Sequence, residues 1–366
     1  MHKDSNDTAI AWNDLVRSLA EQKCVLFIGP DLLPGEDMFT ELLQFLGIDP
    51  HDTAGRLPRD IKMVYPGENL FLFDNDGART RTSRRLEEFH DQYSAKLEEA
   101  LYTRIARLPF PLIVSTMPDL GLHRYLDKNG INHQFGYYNY RGTPDPHDRI
   151  HLDPRELRLL FNLRGVLNQR DSLVLTHDDL FLYFSQILGD KKLSSDLYIQ
   201  LPDTLKQATD FIFLGFQFDH WPMQLLMRLL NPDRDKGLQY AMSPGVASHT
   251  RVFYSDQFQV EFVDKLSPEQ FLAKLCEHWE ADEQKRQTAG APLKQTLRDW
   301  LRQGLLQRIL EELRNHPGSG TDADHLMGRL STLRQSINEG VVNSESIFIE
   351  YNRIRKSIQD IIDQLP

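Results

Sequence analysis

The sequence predicts a mostly parallel, doubly wound α/β sheet followed by a small all-α module. Short apolar segments alternate with helical patterns as far as about residue 280, and the pattern after residue 292 is purely helical. A polar stretch containing Gly290 and Pro292 separates the two patterns. We therefore predict an α/β domain over residues 1–282, a linker over 283–292 and a helical domain over 293–366.

Five short apolar segments predict the strands of the sheet. They are Cys24–Ile28, Leu112–Ser115, Ser172–Leu175, Phe211–Leu214 and Arg251–Tyr254. Most are continuous apolar runs, which are typical of parallel strands covered by helices on both faces. Ligands of such sheets bind at the carboxyl ends of the strands, so the residues directly after each strand are the candidate site residues.

Helical patterns separate the predicted strands. Apolar residues recur at helical spacing from Trp12 to Leu19 and over Ser83–Arg107. Two further helices are expected to begin near Asp178 and Trp221.

The C-terminal segment carries apolar stripes that predict a small helical bundle. Leu297–Leu313 predicts one or two helices around Gly304, and the stretches Leu326–Ile337 and Ile347–Leu365 step by three and four residues. A loop is expected at His316–Gly320. Gly340 is expected to end the first of these last two helices, and either Asn343 or Ser344 is expected to cap the second.

The charge of the chain is acidic and unevenly distributed. The 366 residues have a net charge of -11, and residues 1–287 hold 32 basic and 43 acidic side chains. Such a balance disfavours general binding to nucleic acid or to anionic membranes. The N-terminus is polar, and no apolar run approaches the roughly 20 residues that span a bilayer. We therefore expect a cytoplasmic protein.

Neither the cysteines nor the carboxylates predict a metal site. Cys24 lies in a predicted strand, as a small buried hydrophobe would, and the sequence has no Cys-x-x-Cys pair. Asp203, Asp210 and Asp233–Asp235 do not follow a ligand spacing. We therefore expect no metal.

Several segments carry a family resemblance through their order and spacing. They are Val25–Pro30, Pro111–Asp119, Asn162–Gly165 with Ser172–Asp179, Phe213–Trp221 and Phe253–Phe258. Over about 250 residues they resemble the sirtuin-like (silent information regulator-type) domains of prokaryotic antiviral and conflict systems. The resemblance implies a Rossmann-like fold and a site for NAD or ADP-ribose.

The C-terminal helices resemble an effector-associated domain. The stretch that carries the resemblance runs from Leu326 through Asn338–Gly340 to Glu350–Arg355. It implies recruitment of a partner protein with a matching module, or assembly into a homo-oligomer.

The nucleotide loop of the resembled family reads Gly29-Pro30-Asp31 in this chain. Gly29 permits a tight turn, but Pro30 has no N–H to offer a phosphate. Asp31 adds negative charge unless it points away or caps the following helix. We therefore expect weakened binding of a pyrophosphate.

Both positions that imply catalysis in the resembled family are altered. Met117, between Thr116 and Asp119, replaces an asparagine and cannot orient water. Arg164 replaces a histidine base and stays protonated. Loss of a general base typically lowers a rate by about 10²–10⁴-fold, so the chain is expected to be catalytically degenerate. Arg164 could instead bind an anion or form a plain salt bridge.

Other candidate residues have structural interpretations as well. Asp119 is expected to cap a helix at Gly121–Asp127, and Asp219, which with Gly215 follows a strand, is expected to cap the next helix. Three histidines and Asp219 are the nearest candidates to replace the missing base, although a cap or surface role suits His177 better. The histidines are His123, His177 and His220.

Three functional hypotheses follow. The first is a catalytically degenerate sensor of NAD metabolites, or an adaptor, in a prokaryotic defence or signalling system. The second is an NAD glycohydrolase effector that uses non-standard residues. The third is a nucleic-acid-binding component based on Arg79–Arg85, for which a salt-bridged surface segment is the better interpretation. Phe135–Arg141 could stack bases, but an aromatic strand packed on the core suits it better.

Overall fold

The computed structural model describes residues 10–33, 37–53, 57–141, 153–155, 157–189, 200–230, 237–243, 245–288, 293–316, 320–338 and 344–365. The strands in these residues are β1 Cys24–Ile28, β2 Ile61–Tyr65, β3 Leu70–Phe73, β4 Leu112–Ser115, β5 Gln134–Tyr137, β6 Leu159–Asn162, β7 Asp210–Leu214, β8 Gln239–Met242 and β9 Val260–Phe262.

Helices lie between the strands, and the described elements of the C-terminal part are all helices. The α-helices are α1 Trp12–Ala20, α2 Met38–Leu46, α3 Asp76–Leu97, α4 Thr103–Arg107, α5 Gly121–Lys128, α6 His177–Gly189, α7 Gln200–Gln207, α8 Trp221–Leu230, α9 Ser248–Phe258, α10 Pro268–Thr288, α11 Leu293–Arg302, α12 Leu306–Arg314, α13 Gly320–Asn338 and α14 Ser344–Gln364. A π-helical turn at Glu98–Tyr102 joins α3 to α4.

The sheet confirms the predicted α/β class. Within the described residues it has seven strands in the order β5-β6-β4-β1-β7-β8-β9, and every neighbouring pair is parallel. β2 and β3 form a separate antiparallel hairpin. The chain moves to one side of β1 through β4 and to the other through β7, so a crevice opens between their carboxyl ends.

Alternate residues of the central strand face two hydrophobic cores. Leu26 and Ile28 pack against α1, α3 and α10, whereas Val25 and Phe27 pack against α6, α8 and α9. All four side chains are at most 2% exposed. Burial on both faces explains why β1 is apolar at every position.

Two predicted strands are wrong, and in each case a carboxylate accepts hydrogen bonds from the backbone of the segment or of its start. Ser172–Leu175 is not a strand, since Asp179 accepts hydrogen bonds from the N–H groups of Leu175 and of the next residue, both at 3.0 Å. Arg251–Tyr254 lies inside α9, where the buried residues recur every four positions. Asp219 accepts a hydrogen bond from the first residue before that helix, Ala247, at 3.2 Å.

The predicted helices mostly hold, with shifted ends. α3 begins at Asp76, seven positions before the predicted start, because the Asn75 side chain accepts a hydrogen bond from Ala78 N–H. α10 continues to Thr288, so residues 283–288 of the predicted linker are helical. Residues 289–292 lie outside the described part, and the domain boundary stays a prediction.

Helices α11 to α14 have a hydrophobic core of their own. Leu301, Ile309, Leu330 and Ile354 are among its buried residues, and Leu157 from the α/β part joins them. Gly304, with a φ of +68°, makes the turn between α11 and α12 as predicted. Most of the predicted loop after His316 and the cap signals Gly340 and Asn343 lie outside the described residues.

The loops after β1 and β7 approach each other closely at two glycines. A Cβ atom on Gly29 would lie 2.3 Å from the carbonyl oxygen of Gly215. Gly215 itself has a φ of +62°, and a Cβ there would lie 2.4 Å from the carbonyl oxygen of Asp31. Both positions therefore require glycine, and their contact sets the floor of the crevice.

We expect Gly29→Ala to destabilise the α/β domain by about 2–3 kcal/mol, because the added methyl group meets rigid backbone. That loss corresponds to a melting temperature lower by roughly 4–10 °C, measured by circular dichroism. Gly67→Ala is the control, since its Cβ has no neighbour within 4 Å. Equal melting temperatures for the two variants would show that the loops separate easily.

Candidate functional site

Two neighbouring cavities occupy the crevice at the carboxyl edge of the sheet. The inner cavity measures about 100 Å³ and is lined mainly by apolar side chains, together with Thr116, Met117 and Arg164. The outer cavity measures about 420 Å³ and is lined by polar groups that include Asp31 and Asp219. Pockets for drug-sized ligands typically measure about 300–1,000 Å³, so the outer cavity alone reaches that range.

The predicted ligand residues are therefore divided between the cavities. Pro30 lines the inner cavity together with Thr116, Met117 and Arg164. Gly215 lines the outer cavity. Gly29 lines neither cavity and lies against the backbone of Gly215. Asp119 lines neither cavity.

The loop after β1 has little capacity to bind a phosphate in this conformation. Three of its backbone N–H groups already donate to backbone carbonyls. The pairs are Gly29 to Leu214 at 2.8 Å, Asp31 to Gly215 at 3.0 Å and Leu32 to Pro30 at 3.1 Å. Phosphate loops bind anions through free N–H groups, so this loop lacks the feature that the family resemblance implies.

The carboxylates of Asp31 and Asp37 place negative charge near the start of α2. The carboxylate of Asp37 caps this helix by accepting from Phe39 N–H at 3.0 Å and from the Thr40 hydroxyl at 2.6 Å. Burial raises the pKa of Asp31 to about 6, while a hydrogen bond from Gln217 opposes the shift and the charge of Asp37 adds to it. Asp31 is therefore mostly ionised at neutral pH, and it repels an anionic ligand.

Met117 is a core residue, and its thioether has almost no hydrogen-bonding capacity with which to orient a water molecule. Its side chain is 3% exposed and belongs to the hydrophobic cluster beneath α3 and α5. Its N–H donates to the Ser115 hydroxyl at 3.1 Å, which holds the turn after β4. The thioether thus fills part of the space next to the inner cavity.

Arg164 lines the inner cavity, and so does Glu68. Within the described residues the Arg164 guanidinium makes no hydrogen bond and no ion pair, and the expected salt bridge stays a prediction. Burial lowers its pKa, but a guanidinium remains protonated at neutral pH. A partly buried cation without a partner among these residues is costly, so the inner cavity is suited to an anionic group of a ligand.

His220 lies at the boundary between the two cavities. It lines both of them, together with Asn69 and Gln217. The Asn69 amide donates to the Gln217 side chain at 2.6 Å, so these two residues form a partition. Burial and then the charge of Arg164 lower the pKa of His220, which leaves a neutral imidazole at pH 7.

The other predicted site residues have structural contacts. Asp119 accepts from Gly121 N–H at 2.7 Å at the start of α5, as the capping prediction required. The sequence suggested that Asp219 caps α8, but it does not. Its carboxylate instead accepts hydrogen bonds from the Ala247 N–H and the Thr250 hydroxyl at the start of α9. His177 opens α6 and packs edge-on against Tyr65, with ring centroids 4.4 Å apart.

The basic cluster on α3 is engaged in internal contacts. Arg79 pairs with the buried Asp179 at 2.9 Å, and Arg81 pairs with Asp60. Arg85 donates to two carbonyls at the end of α2. These contacts support the interpretation as a salt-bridged segment.

The aromatic segment packs on the core, as its preferred interpretation predicts. β5 covers its first half, and Tyr138 and Tyr140 are 0% and 2% exposed. Tyr140 donates to the carbonyl of Leu173 at 3.0 Å. Buried rings cannot stack on nucleotide bases.

Sequence reasoning missed three residues of the crevice. Asn69 and Gln217 form the partition, and Asp37 supplies part of the negative charge. Gln217 lies within the segment that follows β7, which was a usable signal. Asn69 comes from the β2–β3 hairpin, and nothing in its local sequence relates it to the sheet.

A wide groove lies between α13 and α14 of the helical module. It measures about 820 Å³ and combines apolar Leu333 and Ile349 with charged Arg329 and Glu350. Arg329 and Glu350 pair across the groove at 2.7 Å. Ile349 is 42% exposed, which is unusual for a branched aliphatic side chain.

Comparison with known families bears on the helical module. Residues 292–366 match the family model of Effector-associated domain 11, which confirms the resemblance drawn for this part. The match indicates a role in protein interaction within a conflict or signalling system. No curated protein matches the chain. The resemblance of residues 1–282 to sirtuin-like domains stays a prediction.

The described part of the chain has no helix that is long and apolar enough to cross a membrane. That finding agrees with the charge and hydropathy of the sequence.

Asp31 makes the stability of the α/β domain depend on pH. Because folding raises its pKa from 3.8 to about 6, the folded state holds the proton more tightly. The free energy of unfolding should therefore fall as pH rises from about 4 to 6, by about 3 kcal/mol, and the loss should persist above pH 6.

We expect Asp31→Asn to remove most of this loss and to raise the melting temperature at pH 8. Exposed Asp256→Asn is the control, and melting curves between pH 4 and 8 are the measurement. An unchanged pH dependence in Asp31→Asn would show that another group controls it.

Proposed function

We propose that this protein is a non-catalytic recruitment component of a prokaryotic defence or signalling system. On this proposal the helical module binds a partner with a matching module, and the crevice of the α/β domain is a regulatory site for an anionic ligand. The match of residues 292–366 to Effector-associated domain 11 is the observation that carries the proposal.

The groove between α13 and α14 is the proposed contact surface. Ile349 offers exposed apolar area, and the flanking Asp324, Arg329 and Arg353 offer charges of both signs. A helix of a matching module has the complementary pattern, because helices in small bundles combine an apolar stripe with charged flanks. We therefore take one helix of the partner's module as the occupant.

Three features of the crevice support a role without NAD cleavage. Met117 is buried in the core, the N–H groups of the first loop are occupied, and Arg164 lies where the resembled family has its base. The Arg164 guanidinium favours an anionic ligand such as ADP-ribose or another phosphorylated NAD metabolite. The inner cavity would have to join the outer one to hold such a molecule.

His220 supports a second candidate function, namely NAD cleavage with a non-standard base. It is the histidine among the three candidates that lines the crevice, and its lowered pKa keeps it neutral. A neutral imidazole can accept a proton from water. His123 and His177 line neither cavity.

We expect no release of nicotinamide when the purified full-length chain is incubated with NAD and analysed by HPLC. Titration calorimetry of the same sample with ADP-ribose tests the ligand site, and Arg164→Gln should weaken any binding by at least 10-fold, because hydrogen bonds to charged groups contribute about 1.5–3 kcal/mol. Nicotinamide release that His220→Ala abolishes would establish the second candidate function instead.

We expect Ile349→Arg to weaken partner binding at least 10-fold, because a charged side chain then occupies the centre of the groove. The probes are purified proteins that carry an Effector-associated domain 11 in the same genome, tested against the full-length chain by biolayer interferometry. Val252→Arg on α9 is the matched control, since Val252 is 60% exposed outside the module. Equal affinities for both variants would move the contact surface away from the groove.

A further inference from the structure

Two histidines and one aspartate converge where α5 leads into β5. His123 and Asp127 lie four residues apart on α5 and share one face, and His133 follows just before β5. His123 Nδ1 is 2.7 Å from His133 Nε2. The carboxylate of Asp127 is 3.5 Å from His123 Nε2 and 3.9 Å from His133 Nε2.

Both imidazole rings are held in place by their surroundings. His133 Nδ1 lies 2.9 Å from the carbonyl oxygen of Ile131, so it carries the proton and leaves the lone pair on Nε2. The His123 ring stacks on Phe135 with centroids 4.5 Å apart. Fixing a ring through its second nitrogen is the way proteins orient histidine ligands of metals.

We propose that His123, Asp127 and His133 bind a divalent transition metal of the Zn²⁺ class and thereby stiffen the segment on which the helical module docks. The donor set of two imidazoles and one carboxylate favours Zn²⁺ over Mg²⁺ or Ca²⁺, which prefer oxygen ligands. A fourth position remains for water, and the described residues supply no fourth side-chain ligand to this cluster.

The distances require only a small adjustment. With Zn–N bonds of about 2.0–2.1 Å, two nitrogens on a tetrahedral ion lie about 3.4 Å apart, so the rings must separate by about 0.7 Å. The contact between the rings is a single hydrogen bond that His123 Nδ1 donates to His133 Nε2. Before the metal replaces this bond, the proton moves from Nδ1 to Nε2 of the His123 ring, by tautomerisation. Asp127 is 42% exposed at its side chain and can turn towards the ion.

The helical module contacts the segment between two of these ligands. Arg334 on α13 donates to the side chain of Asn132 at 2.6 Å and to the carbonyl of Gly130 at 2.9 Å. Both residues lie between Asp127 and His133, so an ion that ties these ligands together restricts the loop that Arg334 contacts. A metal bound here therefore links the α/β domain to the position of α13.

Positive charges near the cluster limit the expected affinity. The charge of Arg334 interacts with Asp127. The charges of Arg124 and Arg158 interact with His123 and His133, respectively. Each arginine is already engaged elsewhere; Arg124, for example, pairs with Asp91 at 2.6 Å. We expect a dissociation constant in the low micromolar range rather than that of a structural zinc finger.

The test is titration of the chelator-treated full-length chain with ZnCl₂ in a calorimeter, with Co²⁺ as a spectroscopic probe of four-coordinate geometry. We expect one ion per chain. Asp127→Asn and His123→Gln should each weaken binding at least 10-fold, since changes even in outer-shell groups typically have that effect. Neither variant alters a fully buried side chain, so both should fold.

The control variant is His249→Gln, which removes an exposed histidine on α9 and should leave the affinity unchanged. Hydrogen exchange supplies the second readout: Zn²⁺ should slow exchange at the amides of Gly130 and Ile131 in the unaltered chain but not in Asp127→Asn. Absence of saturable binding, or equal binding by all three variants, would overturn the proposal.

Discussion

The contact between the backbones of Gly29 and Gly215 constrains the whole carboxyl edge of the sheet. It brings the loops after β1 and β7 together, so that the Asp31 N–H bonds to the Gly215 carbonyl and is no longer free for a ligand. The same approach leaves space for a crevice only beyond the loops, where the two cavities lie. This one close contact thus determines where the crevice lies. It also explains why the loop after β1 has no free N–H at Asp31 to offer a phosphate.

The elements that sequence patterns predicted correctly are those whose apolar pattern is contained in one short segment. β1, β4 and β7 are continuous apolar runs, and the stripe of α13 matches its helical period. Two failures share a feature, because in each case a carboxylate accepts hydrogen bonds from the backbone of the segment or of its start. Asp179, which two arginines neutralise, takes the N–H groups of the expected third strand, and Asp219 fixes the start of α9.

Site residues that follow a strand could be predicted from the sequence. Residues that reach the crevice through a tertiary contact from elsewhere in the chain could not. Thr116, Met117 and Arg164 do follow β4 and β6, and the structure brings them to one cavity. Asn69 reaches the crevice only because the β2–β3 hairpin folds over it.

The charge of Arg164 and the histidine–aspartate cluster suggest how the two parts of the chain communicate. Arg164 directly follows β6, and His133 directly precedes β5, which pairs with β6 along its length. A ligand that binds Arg164 lies at the carboxyl end of this strand pair. The cluster of His123, Asp127 and His133 lies with Arg334 at its amino end. β5 and β6 connect the two positions, so coupling between them requires this strand pair to shift or to stiffen when the crevice is occupied. Coupling of this kind requires ligand binding and module docking to affect each other reciprocally, which separate measurements on each site can establish.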